Sequence, residues 1–343
     1  MVGINSVEHS VTGLQHDVEQ FLHWLHSQSY AFQTISPSSH SAYLTRNGQV
    51  QAHHLRDIFG WSLPFEADLL PTAIFELLRA HGLIEQVADP MADSLANPLT
   101  DDLANHAATL WHSRIRVSSL NQCLLVHSAY PTTQDNAVFF GPDTYRFVSA
   151  LTQYLSANQP NIQRAIEICS GAAPAAITIA RYAPHAEVIA ADINALALQY
   201  SSINAYSNQA SNVLSVYSNL YQNITGEFDF ITANPPYLVD AKQRLYRHGG
   251  DLMGAALSLK IVQASLDHLA LHGTLLLYTG VVIAQGQDLF YQALQAHMVP
   301  YPHRFSMQYH EIDPDIFADE LDSGAYADAE RIAAVVLVIK RLI

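Results

Sequence analysis

From about residue 145 onward, short apolar runs alternate with stretches of helical spacing, and this alternation narrows the fold more than any other feature of the chain. The apolar runs fall at 165–169, 187–191, 213–217, 228–233, 274–278, 304–309 and 332–339. Runs of this length with apolar residues on both faces are buried best in a mostly parallel sheet covered by helices, so the pattern predicts an α/β domain with a Rossmann-like sheet over 145–343.

The N-terminal part reads differently. Leu14, Val18, Phe21, Leu22 and Leu25 repeat at helical spacing, which predicts an opening amphipathic helix with one face to bury. Two further helical stretches carry Leu55, Ile58 and Phe59, then Leu69, Leu70, Ala73, Ile74, Leu77 and Leu78; Gly60 and Pro64 separate them and Gly82 ends the second. The spacing resembles a winged-helix module. Residues 1–140, however, hold five basic side chains against thirteen acidic ones, which favours a structural or substrate-covering role over DNA reading. Pro90, Pro98 and the acids of 86–104 predict an irregular acidic connection. Strand-like runs at 115–117, 123–126 and 138–140 precede the turn Gly141-Pro142-Asp143. The expected organisation is a helical domain over 1–104, a short β element and connector over 105–144, and the α/β domain beyond.

Charge excludes some classes of partner. Sixteen Lys and Arg face 31 Asp and Glu, a net charge of −15, and such a surface repels phosphate backbones and anionic headgroups. No nucleic-acid or membrane partner is expected. No apolar run approaches the ~18 residues of a membrane span, and the N-terminus lacks a basic-then-apolar leader, so the expected location is the cytoplasm. Cys123 and Cys169 lie 46 positions apart with no CxxC spacing, which predicts free thiols. His268 and His272, beside Asp267, are spaced for one helix face, but no third ligand accompanies them and no metal site is expected. The oligomeric state is left open.

Three segments carry chemistry. The run Ala165-Ile-Glu167-Ile-Cys169 opens into Ser170-Gly171-Ala172-Ala173-Pro174 ahead of a helical stretch, placing a tight turn where free backbone N–H groups could meet a ligand. The next run ends in Asp192, 25 residues after Glu167, where a carboxylate can accept both hydroxyls of a ribose or, alternatively, cap a helix. The third is Phe228-Asp-Phe-Ile-Thr-Ala-Asn234-Pro235-Pro236-Tyr237. Its prolines carry no N–H, so the turn offers carbonyls; the Asn234 amide oxygen accepts as well, and Tyr237 supplies a flat face for a planar group. An NH2 group can thus be held by both of its hydrogens.

Glu167 to Gly171, Asp192 and Asn-Pro-Pro-Tyr237, in that order, resemble the class I S-adenosylmethionine-dependent methyltransferases, and most closely the release-factor glutamine N5-methyltransferases. The resemblance covers about 138–340 and takes in Gly141-Pro142-Asp143-Thr144 and the run from Asp192 to Leu198, with Asn204-Ala205 beyond. It implies a class I methyltransferase sheet and S-adenosyl-L-methionine as cofactor. Glu167 and Gly171 would then face the methionine end, Asp192 the ribose and Ile193 the adenine, with Cys169, Asn219 and Asn234 also at the cofactor. Asn219 stands near the third strand where the family carries Asp, and Ala173 and Ala175 replace later glycines of the first loop. Asn234, with the Pro235 carbonyl and Tyr237, would grip the acceptor.

Two charged segments could face that acceptor. Lys242, Arg244, Arg247 and His248 form the one concentrated basic stretch, suited to a carboxylate. Eight acids within 311–330, Glu311 and Asp313 first among them, would suit a cationic group. The reading that follows is methyl transfer to a nitrogen of a peptide, protein or small metabolite. Oxygen methylation of a carboxylate or hydroxyl, adenine methylation in nucleic acid, and a non-catalytic cofactor-binding module are the alternatives.

Overall fold

The computed structural model describes residues 8–87, 109–322 and 324–343, and it divides into two compact units, Met1–Thr132 and Thr133–Ile343. In the first unit the apolar stripe of α1 (Glu8–Ser27) buries Val18, Phe21, Leu22 and Leu25. Helix α2 (Pro37–Asn47) was not legible in the sequence; Ser36 caps it through Ser39 N, and Gly48, in the left-handed region, ends it. Helices α3 (Leu55–Phe59) and α4 (Thr72–Ala80) match the two expected stretches. Strands β1 (Phe65–Glu66), β2 (Ile84–Gln86) and β3 (Leu110–Ser113) form a three-stranded antiparallel sheet in the order β1-β3-β2. A separate hairpin pairs β4 (Ile115–Leu120) with β5 (Cys123–Ser128). Most of the expected acidic connection lies outside the described residues.

The second unit begins earlier than the sequence pattern suggests. Residues 133–144, expected in the connector, belong to it, and 138–140 forms no strand. The backbone there runs irregularly into α5 (Pro142–Asn158), with Pro142 at the first helical position. Then come β6 (Arg164–Ile168), α6 (Pro174–Tyr182), β7 (Glu187–Asp192), α7 (Ala195–Ser207), β8 (Val213–Tyr217) and β9 (Phe228–Ala233). After them come α8 (Ala256–Leu266), β10 (Leu269–Ala284), β11 (Gln287–Asp288), α9 (Leu289–Met298), β12 (Phe305–Asp313) and β13 (Arg331–Arg341).

The main sheet has the order β12-β13-β10-β9-β6-β7-β8. Strands β8 to β10 along this path are parallel, while β13 runs antiparallel to both β10 and β12. This is a Rossmann-like α/β fold, as the alternation predicts. Its interior strands are buried on both faces, Ile166, Ile231, Leu275 and Leu337 being at 0% exposure, which is why they read as continuous apolar runs. The chain lays down β6, β7 and β8 outward in one direction and then returns to place β9 on the other side of β6. Ligands bind at the carboxyl ends of strands flanking such a reversal. The register makes the point concrete: Ile168 pairs with both Ala191 and Ala233, so Cys169, Asp192 and Asn234 emerge abreast at one edge.

Candidate functional site

On the β6 side, three successive features shape the loop. Cys169, Gly171 and Ala173 all have positive φ, at +57°, +52° and +59°, so the backbone coils tightly between β6 and α6. At Gly171 a Cβ would meet only Val138 Cγ1 at 3.8 Å, which leaves open space above the turn. Glu167, 2% exposed, points beneath the loop, where its carboxyl accepts from Ala176 N at 2.7 Å and Ala175 N at 3.4 Å. It therefore caps the start of α6. Burial pushes its pKa up from 4.5 to about 8, against the opposing pull of those two N–H groups. The Cys169 thiol is likewise pushed up by burial, then by Asp192 and Glu167. The Ser170 hydroxyl is buried with no hydrogen-bond partner.

Asp192 closes this half. Its Oδ2 accepts from Gly171 N and its Oδ1 from Asn194 N, both at 2.9 Å, so the loop after β6 and the start of α7 are tied to one carboxylate. Ile193 N adds a third backbone bond, and the carboxylate still keeps acceptor capacity for a ligand hydroxyl. Burial raises the Asp192 pKa, opposed by these backbone bonds. Ile193 beside it is 44% exposed, an apolar side chain left facing outward next to a charged strand tip. Asn219 is exposed after β8. Open space over Gly171, spare acceptor capacity on Asp192 and an uncovered Ile193 fit the methionine, ribose and adenine parts of S-adenosylmethionine.

On the β9 side, Asn234 Oδ1 is buried without a hydrogen-bond partner. An acceptor left orphaned at the sheet's switch point calls for an N–H or O–H donor from a ligand. Tyr237, three residues on, is 8% exposed and tightly enclosed. A Cβ at Gly280 would fall 2.4 Å from its ring, one at Gly249 2.7 Å from its Cα, and one at Gly254 2.2 Å from its carbonyl oxygen. Phe317 meets the ring edge-on with centroids 6.0 Å apart. Tyr278, in β10, continues the Leu277–Ala233 register and so lies abreast of Asn234. Its hydroxyl donates to Asp143 Oδ1 at 2.5 Å.

The charged segments are arranged otherwise than expected. Arg247 pairs with Asp240 and with Glu320 of the acidic stretch. Arg244 also holds Asp240, through Nε at 3.0 Å, and that guanidinium keeps the Asp240 carboxyl down at about 2. His248 Nδ1 accepts from Asp240 N at 3.3 Å. Glu311 pairs with Arg331 at 2.9 Å, and Asp313 with Arg146 at 2.9 Å. One ion pair, Arg247–Glu320, thus joins the two segments, and Arg247, Glu311 and Asp313 are engaged in the fold. His268 and His272 do not share a helix: α8 ends at Leu266, His268 stacks on Tyr221, and His272 lies in β10. Among the described residues no group of metal-ligating side chains forms a site.

Sequence reasoning missed Tyr278, Gly280, Arg146 and Phe317. Tyr278 and Gly280 carried a usable signal, since they follow the apolar run next to β9 and must emerge beside Asn234. Arg146 and Phe317 carried none, because their partners are set by tertiary contact.

Sheet order and strand-end residues together define a Rossmann-like α/β domain with a candidate site at the carboxyl edge of its sheet. Residues 134–288 match the family model described as the methyltransferase small domain. A ribosomal protein uL3 glutamine methyltransferase of Xanthomonas campestris pv. campestris is 32% identical over 130 residues, 35% of this chain and 42% of that protein. A release factor glutamine methyltransferase of Lactococcus lactis subsp. lactis is 28% identical over 162 residues, 44% of this chain and 58% of that protein. The chain thus spans about half the length of these relatives, and the resemblance to glutamine methyltransferases is borne out over that span. Among solved structures, the M. jannaschii tRNA m1G37 methyltransferase aligns with a TM-score of 0.46 and 14% identity, over 68% of this chain and 57% of that one. A ribosomal protein L11 methylase of Lactobacillus delbrueckii subsp. bulgaricus aligns at 0.40 and 14%, over 57% and 79%. No helix among the described residues is long and apolar enough to cross a membrane.

Proposed function

We propose that the protein is an S-adenosylmethionine-dependent methyltransferase acting on a nitrogen, above all the amide nitrogen of a peptide or protein side chain. The observation that carries this reading is the buried, unpartnered Asn234 Oδ1 in a turn whose two prolines donate nothing. One hydrogen of an NH2 group donates to Asn234 and the other to the Pro235 carbonyl, which leaves the nitrogen lone pair directed across the switch point. When bound, the cofactor supplies a methyl made electrophilic by its sulfonium. The chain's own work is to align nucleophile and carbon and to keep water out, and proximity of this kind carries much of the rate. Asp192 accepts the ribose hydroxyls, Ile193 covers the adenine, and Cys169, Gly171 and Asn219 border the cofactor, while Glu167 holds the loop from beneath instead of facing the methionine end. Asn234, Pro235 and Tyr237 form the acceptor side.

Internal pairing of Arg247, Glu311 and Asp313 favours a neutral amide over a carboxylate or an ammonium group, because these three charges are already compensated within the fold. Relatives named for glutamine methylation on a ribosomal protein and a release factor point the same way. Such an acceptor would be met in the cytoplasm. The net charge of −15 argues against a polynucleotide acceptor.

The test is methyl transfer from S-adenosylmethionine to glutamine-, asparagine- and arginine-containing peptides, with mixed DNA and RNA as parallel acceptors. Asn234→Ala is expected to bind cofactor normally and to lose at least ~10²-fold in turnover. Normal turnover by that variant, or transfer to nucleic acid alone, would refute the proposal.

A further inference from the structure

Asp143 lies in the first turn of α5, 5% exposed, and is the partner of more groups than a helix start requires. Its Oδ1 accepts from the Tyr278 hydroxyl at 2.5 Å, and the Arg146 guanidinium lies 3.4 Å away. The Tyr237 phenol faces the same carboxylate. Tyr278 and Tyr237 belong to the two chain segments that flank Asn234, one from β10 and one from the turn after β9. A single buried carboxylate therefore gathers both walls of the acceptor side.

Arg146 extends this arrangement outward. Its second nitrogen reaches Asp313, where β12 passes into the connection to β13. That connection then meets the turn twice and the loop after it once. The Tyr326 hydroxyl, its residue 1% exposed, accepts from Val239 N at 2.7 Å; Phe317 meets the Tyr237 ring; Glu320 pairs with Arg247. Removing either partner of a buried charged hydrogen bond leaves the other uncompensated, so such a network holds its members in one arrangement or fails as a unit.

We propose that Asp143 is a positioning residue: through Tyr237, Tyr278 and Arg146 it locks the 234–239 turn and the connection between β12 and β13 into one rigid wall that presents Asn234 to the acceptor in a single orientation. Its role in methyl transfer rests on the function proposed above, but the rigidity it confers does not, and the two can be tested apart.

The experiment is amide hydrogen exchange on the whole chain, comparing the unaltered protein with Asp143→Asn, Tyr278→Phe and Arg146→Gln. Tyr278→Phe keeps the ring and removes only the hydroxyl, and Arg146 is partly exposed, so these variants remain informative where Asp143→Asn unfolds. Exchange in 234–248 and 311–322 is expected to rise at least ~10-fold in each folded variant, while β6 and β7 keep their protection. Unchanged exchange in those segments, or an equal rise in β6 and β7, overturns the proposal. Methyl transfer is then measured with S-adenosylmethionine and the best peptide acceptor of the unaltered protein. Lower kcat at unchanged cofactor affinity supports positioning; loosened segments with undiminished kcat overturn it. Should the unaltered protein methylate nothing, the functional reading falls and the exchange result still decides on the rigid wall.

Discussion

Gly280→Ala tests the packing of the acceptor side with a single methyl group. The added Cβ would lie 2.4 Å from both Cδ2 and Cε2 of Tyr237, where ordinary contact begins at 3.4 Å, so the ring must withdraw by about 1 Å. It has nowhere to go at low cost: Phe317 meets its edge, and its own backbone is pinned by Gly249 and Gly254. Overpacking of this kind costs about 1–3 kcal/mol of stability. Displacement is passed along three residues of a proline-stiffened turn to Asn234, and a misplacement of about 1 Å costs about 10²-fold in rate. The cofactor loop after β6 lies on another strand, so affinity for S-adenosylmethionine should stay within about twofold. Calorimetric titration and initial rates of peptide methylation separate these quantities. A control completes the argument: once Tyr237→Ala has removed the ring, adding Gly280→Ala should cost little more, since the clash has gone. A Gly280→Ala protein with stability and turnover both within about twofold of the original equilibrium and rate constants would show that the ring is not confined as described.

Three further outcomes follow from the site. Asp192→Ala should weaken cofactor binding by about 1–3 kcal/mol, since the ribose loses a charged acceptor and Gly171 N loses its anchor; unchanged affinity in a titration would remove the ribose from this strand tip. Burial holds the Glu167 carboxyl at about 8, so from about pH 4.5 to 8 the unfolded chain ionises this group while the folded chain keeps its proton. Folding stability should therefore fall with rising pH across that window by up to several kcal/mol, and Glu167→Gln should abolish the slope; denaturant titrations showing a parallel pH dependence in both proteins would mean that Ala175 and Ala176 keep the carboxylate ionised. Ser170→Ala removes a buried hydroxyl without a partner and should raise cofactor-free stability by up to about 1 kcal/mol, whereas a drop in melting temperature would reveal a bond to that oxygen.

What could be read from the sequence, and what could not, divides along the range of the interactions. β9 was legible because burial on both faces leaves an apolar run, and the run at 213–217 matched β8 to the residue although that edge strand is partly exposed. The order of strand tips carrying Glu167, Asp192 and Asn234 was legible too, since parallel β-α units bring each carboxyl end to one edge. β10 was read as 274–278 but spans Leu269–Ala284, because pairing with β13 from Thr274 to Ile283 continues the strand past the point where periodicity fades. The charged stretches misled for a related reason. A Lys- and Arg-rich loop and an acidic connection each look like a ligand surface, and nothing in either run indicates that Arg247 will meet Glu320 or that Asp313 will meet Arg146.

The same reasoning explains why residues 133–144 belong with the sheet although they form no strand. Asn136 accepts through its carbonyl from the Asn194 side chain at 2.8 Å, next to Asp192. Val138 lies over Gly171, and Phe139 stacks on Tyr246 of the loop that follows the Asn-Pro-Pro-Tyr turn. Asp143 then meets Tyr278. The segment therefore crosses the carboxyl edge from β7 past β6 to β10, touching Asn194 beside Asp192, the loop after β6 and Tyr278 beside Asn234 in turn. An irregular stretch leading into α5 lets four unlike contacts fall within eight residues. Its apolar run of Val138, Phe139 and Phe140 is burial without a ladder, which is why alternation suggested a strand and the structure has none. The Asp192 and Asn234 halves of the candidate site sit on different strands, and this one stretch of backbone touches both.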